Sequence, residues 1–191
     1  NVSFGATTDS LVLREAVQEA QARGAIIVAS AGNESQSAIT YPAAYPGVIS
    51  VAASGRYTAQ GIDYRSLASF TNFGGVDVMA PGVAVLSTVP AAACGNRGWS
   101  CLDGPYASAS GSSFATPIVA GAVALLRAVH PDLSGAMIRS LVLDTRQPGT
   151  LAGDPGLLDI GAAIERPLYT GAVAGTSRPD AGDPTTRGPV D

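Results

Sequence analysis

Between Gly24 and Ser30 the chain runs Ala25-Ile26-Ile27-Val28-Ala29, five apolar residues with no polar residue among them. A strand with one wet face alternates apolar and polar residues. A strand without alternation is covered on both faces, which is the condition of a parallel sheet with helices on either side. Val48-Ile49-Ser50-Val51-Ala52 reads the same way, and Val76–Met79 and Val83–Val89 read as shorter strands parted by the Pro81-Gly82 turn. Helical periodicity fills the gaps. Over Asp9–Ala22, Leu11, Val12, Ala16, Val17 and Ala20 recur at helical spacing, with Asp9 or Ser10 as the cap and Gly24 as the stop. A second helix opens near Ser113 and runs to about Val129, ended by Pro131. Pro117 is expected in its first turn, where backbone N–H groups have no intrahelical partner. This helix is apolar nearly all round and is expected to be buried. Ser134 caps a shorter helix to about Asp144, and Leu157–Glu165 reads as a closing surface helix. Strands alternating with helices give an α/β fold with a mainly parallel sheet flanked by helices.

The 191 residues, 46% hydrophobic and 14% charged, suffice for one core in one domain. Pro, Gly, Thr, Asp and Arg dominate from Gly171 onward. Residues 1–168 are therefore expected to fold as one unit, with 169–191 a disordered tail or linker. The net charge is only -4 and no Lys/Arg run appears, so nucleic acid is not an expected partner. The longest apolar stretch, Phe114–Leu126, is short, Gly/Ala-rich and interrupted by Thr116 and Pro117; it reads as a core helix, and no membrane span is expected. The chain opens at Asn1 inside what reads as a strand, with no signal-peptide pattern. The expectation is that processing or truncation removed residues upstream.

Two places carry chemistry. The first is Gly111-Ser112-Ser113-Phe114-Ala115-Thr116-Pro117. A serine at the opening of a buried helix faces the positive end of the helix dipole and several unpaired N–H groups, a setting that stabilises a developing oxyanion. The plain alternative is an N-cap serine. The pattern is not the GxSxG elbow, because Ala115 stands where the last Gly would be. The second is Ala31-Gly32-Asn33-Glu34, directly after a buried strand. Functional groups gather beyond the C-terminal ends of parallel strands, and an Asn there offers amide donors; the plain alternative is turn chemistry.

Five motifs stand in order: Asn1-Val2-Ser3-Phe4-Gly5, Ile27-Val28-Ala29-Ser30-Ala31-Gly32-Asn33, Tyr41-Pro42-Ala43-Ala44-Tyr45-Pro46, Val78-Met79-Ala80-Pro81-Gly82 and Gly111–Pro117. Together they closely resemble the subtilisin family (subtilases) over roughly Asn1–Glu165, as the C-terminal part of the catalytic domain. The resemblance implies a serine endopeptidase acting on polypeptide. It implies Ser113 as nucleophile and Asn33 as the side chain that completes the oxyanion hole with the serine's own N–H. It further implies that Ser3, Phe4 and Gly5 pair with the substrate backbone. Ser30, Ala31 and Gly32 would form the opposite wall of the pocket for the side chain before the scissile bond. Thr40, before the Tyr-Pro motif and often Gly in the family, would fill that pocket's floor and favour medium apolar residues over Phe or Tyr. Departures are mild: Ser112 stands where Thr is common, Ser110 where Asn is common, Ala6 where Gly is common.

The larger departure is an absence. The family's triad runs Asp, His, Ser in chain order. The one histidine here, His130, closes the helix that Ser113 opens, too far along it to serve as base, and reads as a helix-end cation or surface residue. The triad Asp and His would lie upstream of Asn1, in a missing N-terminal half of the same domain. The competing reading is a non-catalytic subtilase-like domain that binds peptides or a partner. A nucleotide-binding domain is disfavoured by the lack of any GxGxxG. Calcium is common in the family, but no carboxylate set here points to a site, and no other cofactor is expected. Asn1-Val2-Ser3 and Asn33-Glu34-Ser35 match the N-glycosylation pattern but sit inside substrate-site motifs, and are read as incidental. Cys94 and Cys101 are spaced wrongly for a CxxC motif. They are either free thiols or a local disulfide across the Gly95–Ser100 turn. The disulfide is favoured, and it implies a secreted or periplasmic protein.

Overall fold

The computed structural model describes residues 1–94, 101–102 and 104–166. The expected tail from 169 onward and the Gly95–Ser100 turn lie outside the described residues. Among the described residues, four α-helices, six strands and one 3-10 turn at Ala91–Ala93 follow in chain order: α1 Leu11–Ala22, β1 Val28–Ser30, β2 Ile49–Thr58, β3 Gly61–Leu67, β4 Val78–Pro81, β5 Val85–Thr88, β6 Tyr106–Ala109, α2 Ser112–Val129, α3 Gly135–Asp144 and α4 Ile160–Glu165.

β2 is the spine. Its first half pairs in parallel with β1 through Val28↔Ile49 and with β4 through Val51↔Val78. Val2 extends the sheet beyond β1, and Leu157 extends it beyond β4. As expected of strands covered on both faces, Ile49 through Gly55 are all buried. Ile49, Val51 and Ala53 join Val28, Val78 and Ala80 in the larger core, against Ala115, Val119, Val123 and Leu126 of α2. Ala29 belongs to a smaller cluster on α1's side, with Val17, Ala43, Tyr45 and Val48. The sheet therefore has a helix on either face, and the fold is α/β with a mainly parallel sheet.

Several elements differ from the sequence reading. β1 spans only Val28–Ser30, and Ile26 and Ile27 sit half-buried at its approach. β2 runs past the parallel sheet: its register shifts between Ser54 and Arg56, where Gly55 takes φ +132°, and it then forms an antiparallel hairpin with β3. β3 and β6 were not anticipated. β5 and β6 form a separate antiparallel ribbon just before α2. Leu157 is not helical but pairs with Met79 and Gln147, and α4 begins only at Ile160 behind an Asp159 cap.

α2 corrects two expectations. It is buried on one face only, through Ser112, Ala115, Thr116, Val119, Ala122, Val123 and Leu126 at helical spacing. Ile118, Leu125 and Val129 are exposed, because the helix lies on a single sheet face. Pro117 is its sixth residue, past the first turn. A proline there cannot donate to the carbonyl of Ser113, and that carbonyl accepts instead from Ser3 Oγ at 3.0 Å. Thr116 Oγ1 meanwhile donates to Ser112 O at 2.7 Å.

Candidate active site

Three stretches far apart in the chain meet at one rim of the sheet: Ser3–Gly5, the Ser30–Asn33 turn leaving β1, and the opening of α2. Gly111, extended at φ 158°, caps α2 without a side-chain bond. Ser113 thus enters as the second helical residue, where main-chain N–H groups have no partner in the preceding turn. Asn33 crosses to meet it: its Oδ1 accepts from Ser112 N–H at 2.8 Å. With the carbonyl half of the amide held, the Nδ2 donor is left beside Gly111 at the helix opening. The aligned peptide dipoles of α2 add positive potential at the same place.

Ser113 is half-buried, and its Oγ donates to the main-chain carbonyl of Ser3 at 3.1 Å. Ser3 Oγ donates in return to Ser113 O, so the two serines are latched reciprocally. Ser3, Phe4 and Gly5 lie between two bridges, Val2↔Ala29 and Ala6↔Tyr41. Phe4 is 63% exposed and Gly5 is exposed. This segment offers main-chain groups at an accessible edge.

Opposite it, Ser30, Ala31 and Gly32 are buried. Their carbonyls are all engaged: Ser30 O by Thr40 Oγ1 at 3.2 Å, Ala31 O by Thr40 N–H at 3.0 Å, and Gly32 O by Asn72 N–H at 3.0 Å. Thr40, only 6% exposed, therefore sits between the two walls. A methyl group added at Gly5 would overlap its Oγ1. The space under Gly5 is already occupied by the threonine side chain.

The Asn33 turn has a support that the sequence reading missed. Asn72, fully buried, follows Thr71 after β3. Its Oδ1 accepts from Glu34 N–H at 2.9 Å and Gln36 N–H at 3.3 Å. Its Nδ2 donates to Ala31 O at 3.1 Å and to Glu34 Oε2 at 2.8 Å. Glu34 Oε2 also accepts from Asn33 N–H at 2.9 Å. Gly32 takes φ +111°, and a side chain on it would run into both Asn72 Nδ2 and Glu34 Oε2. Only glycine passes there.

The profile of the subtilase family (peptidase S8) matches residues 1–166. The chain belongs to the subtilase family. It is similar to Subtilisin BL of Lederbergia lenta, 38% identical over 146 residues that make up 76% of this chain and 47% of the relative. It is similar also to Subtilisin DY of Bacillus licheniformis, 37% identical over 176 residues, 86% of this chain and 56% of the relative. Among solved structures, fervidolysin from Fervidobacterium pennivorans, described as a keratinolytic enzyme related to subtilisin, superposes with a TM-score of 0.71 at 36% identity. That match covers 87% of this chain and 26% of the other. The chain spans about half the length of the curated subtilase relatives it matches.

Within this subtilase chain the structure brings together Ser113, Asn33, Ser3, Gly5, Ser30, Ala31, Gly32 and Thr40, with Phe4 projecting from the rim. His130 is not with them. It is the C-cap of α2, half-buried rather than on the surface, roughly 25 Å along the helix from Ser113 at 1.5 Å per residue. Cys94 and Cys101 are joined, with Cα atoms 5.4 Å apart, inside the ordinary range for a disulfide. Among the described residues no group of three or more His, Cys, Asp or Glu gathers as a metal site. The two carboxyls held below their ordinary range lie away from this rim. Asp63 is lowered chiefly by the Arg65 main-chain N–H, then by the Ser66 hydroxyl; Asp159 is lowered chiefly by the Ala162 N–H, then by Gln147. Neither faces Ser113 as a base.

Proposed function

We propose that residues 1–168 are the C-terminal portion of a subtilase catalytic domain, and that the complete protein is a serine endopeptidase. Ser113 is its nucleophile and Asn33 its oxyanion-hole side chain. The observation that carries this reading is the Asn33 Oδ1 bond to Ser112 N–H. It ties the Asn33 side chain to the opening of α2 and leaves its amide donor beside Gly111, which supports its use where charge develops when a carbonyl is attacked. Ser113 Oγ adds to the peptide carbonyl, and its proton passes to a histidine supplied, with its aspartate, from outside these residues. The oxyanion is received by Ser113 N–H and Asn33 Nδ2. Collapse expels the amine and leaves an acyl-enzyme, which water then hydrolyses. Ser3–Gly5 pair with the substrate backbone and Ser30–Gly32 face it. Thr40 limits the depth available to the side chain before the cut. The Cys94–Cys101 disulfide supports an oxidising compartment, secreted or periplasmic.

A second reading, a subtilase-like domain that binds peptides or a partner without cutting, draws on one observation: Ser113 Oγ donates to a carbonyl rather than to a base. Labelling with a serine-directed phosphonate separates the two. The complete enzyme should label at Ser113 and lose labelling in Ser113→Ala. The 191-residue chain alone should not label until an upstream segment carrying Asp and His is co-folded with it. If no such segment restores labelling, and Ser113→Ala leaves peptide binding unchanged, the non-catalytic reading holds.

A further inference from the structure

We infer that Asn72 is a positioning residue for catalysis, acting with Glu34 as a clamp on the main chain that carries Asn33. The inference rests on the reading of Asn33 as oxyanion donor and names what holds that donor in place.

Asn33 is exposed and lies on a turn, a poor platform for a donor that must meet an oxyanion within a few tenths of an ångström. Among the described residues its side chain has a single bond, to Ser112 N–H. Its main chain needs an anchor of its own, and Asn72 provides it from the core. A side-chain amide offers two donor hydrogens and two acceptor lone pairs. All four are used here, each within the Ala31–Gln36 turn: Ala31 O, the Glu34 carboxylate, Glu34 N–H and Gln36 N–H. The Asn72 main-chain N–H adds Gly32 O. The residues on either side of Asn33 are therefore tied to one buried residue, Gly32 through its main chain and Glu34 through its side chain, and Asn33 itself is tied to it through Glu34 Oε2. Neither Asn72 nor Glu34 has a bond to Ser113 among the described residues. Any influence on the chemistry passes through the turn. A network with every member satisfied is stiff, and loss of one partner leaves buried polar groups unpaired.

The prediction is a fall in kcat with little change in KM, because an oxyanion donor binds the transition state and not the ground state. The test uses the complete enzyme and a chromogenic peptide substrate. Asn33→Ala comes first; its expected loss of about 10²–10³ in kcat is a magnitude carried over from subtilisin itself. Asn72→Ser and Glu34→Ala should each lose between about 10-fold and the ~10²-fold that a misplacement of about 1 Å costs. Glu34 is exposed, so Glu34→Ala keeps the test alive if Asn72→Ser fails to fold. Glu34→Gln keeps an acceptor oxygen for Asn33 N–H and Asn72 Nδ2 and should restore most of the rate. In the Asn33→Ala background, Glu34→Ala should cost nothing further.

Parental kcat in Glu34→Ala and in a folded Asn72→Ser overturns the clamp. So do losses that multiply with that of Asn33→Ala, since the two residues would then act elsewhere. A fully active Asn33→Ala is a different failure: it removes Asn33 from the oxyanion hole, and the clamp falls with it for want of a donor to position.

Discussion

On the proposed reading, one side chain, Thr40, sets what the groove accepts. Its hydroxyl bonds to Ser30 O and lies where a methyl on Gly5 would go, closing the space between the two walls. Thr40→Gly empties that space for the loss of one hydrogen bond, a cost of about 0.5–1.5 kcal/mol. The complete enzyme should then shift from medium apolar residues toward Phe or Tyr before the cut. The change in relative kcat/KM should be roughly 10–200-fold, the span that small steric differences give in an apolar pocket. Profiling parent and variant on one peptide library checks this, and a parent that already prefers Phe or Tyr refutes it. At this scale the sequence was informative wherever a residue sits in a contiguous motif. Ser113, Asn33 and the Ser30–Gly32 wall were legible because their neighbours carry the pattern. Asn72 was not: a buried amide that supports another loop has no periodicity and no motif, and only the fold reveals which carbonyls it meets.

Among the elements, the strands buried on both faces and the capped helices were read closely, since covering a strand twice and capping a helix both leave local traces. Ser10 and Ser134 do cap α1 and α3, accepting from Leu13 N–H and Met137 N–H. The burial of α2 was overstated, because composition shows that a helix is apolar and not how many neighbours it has. Pro117 was placed a turn too early, because the partner that makes it tolerable, Ser3, lies 110 residues away. α4 gives a pH prediction. Asp159 accepts from Ala162 N–H at 2.9 Å, and this cap holds its carboxyl below the ordinary range. A depressed folded value means the contribution is complete above the usual carboxylate range near 3.9 and drains as pH falls through the folded value. Asp159→Ala should cost about 0.5–2 kcal/mol at neutral pH. Asp159→Asn should keep most of the cap while losing its share of the acid sensitivity. Thermal melts of the complete enzyme between neutral and strongly acidic pH measure both, and a parent and Asp159→Asn that melt in parallel across that range would dismiss the coupling.

For the molecule as a whole, the site depends on contacts between stretches that no local pattern connects. Ser112 and Asn33 are 79 positions apart, and so are brought together only by the assembled sheet. The disulfide is more local, closing seven positions beside the β5–β6 ribbon that precedes α2. A loop that short constrains the unfolded chain by about 2–3 kcal/mol. Reduction, or Cys94→Ser with Cys101→Ser, should lower Tm by roughly 4–12 °C in a protein of this size or larger. Calorimetry with and without reductant tests it, and an unchanged Tm would show that the crosslink contributes nothing. The reciprocal latch between Ser3 and Ser113 has a different kind of consequence. The proton of the Ser113 hydroxyl rests on a main-chain carbonyl, an atom that every residue type carries. An alanine scan passes over such a partner: Ser3→Ala would remove only the hydroxyl that stands in for the amide Pro117 lacks, and would register as a loosened helix. The resting contact of the proposed nucleophile is thus hidden from side-chain genetics. It becomes visible only when the backbone is edited, as by an ester in place of the Ser3–Phe4 amide, which weakens that oxygen as an acceptor, removes the Phe4 N–H and leaves every side chain as it was.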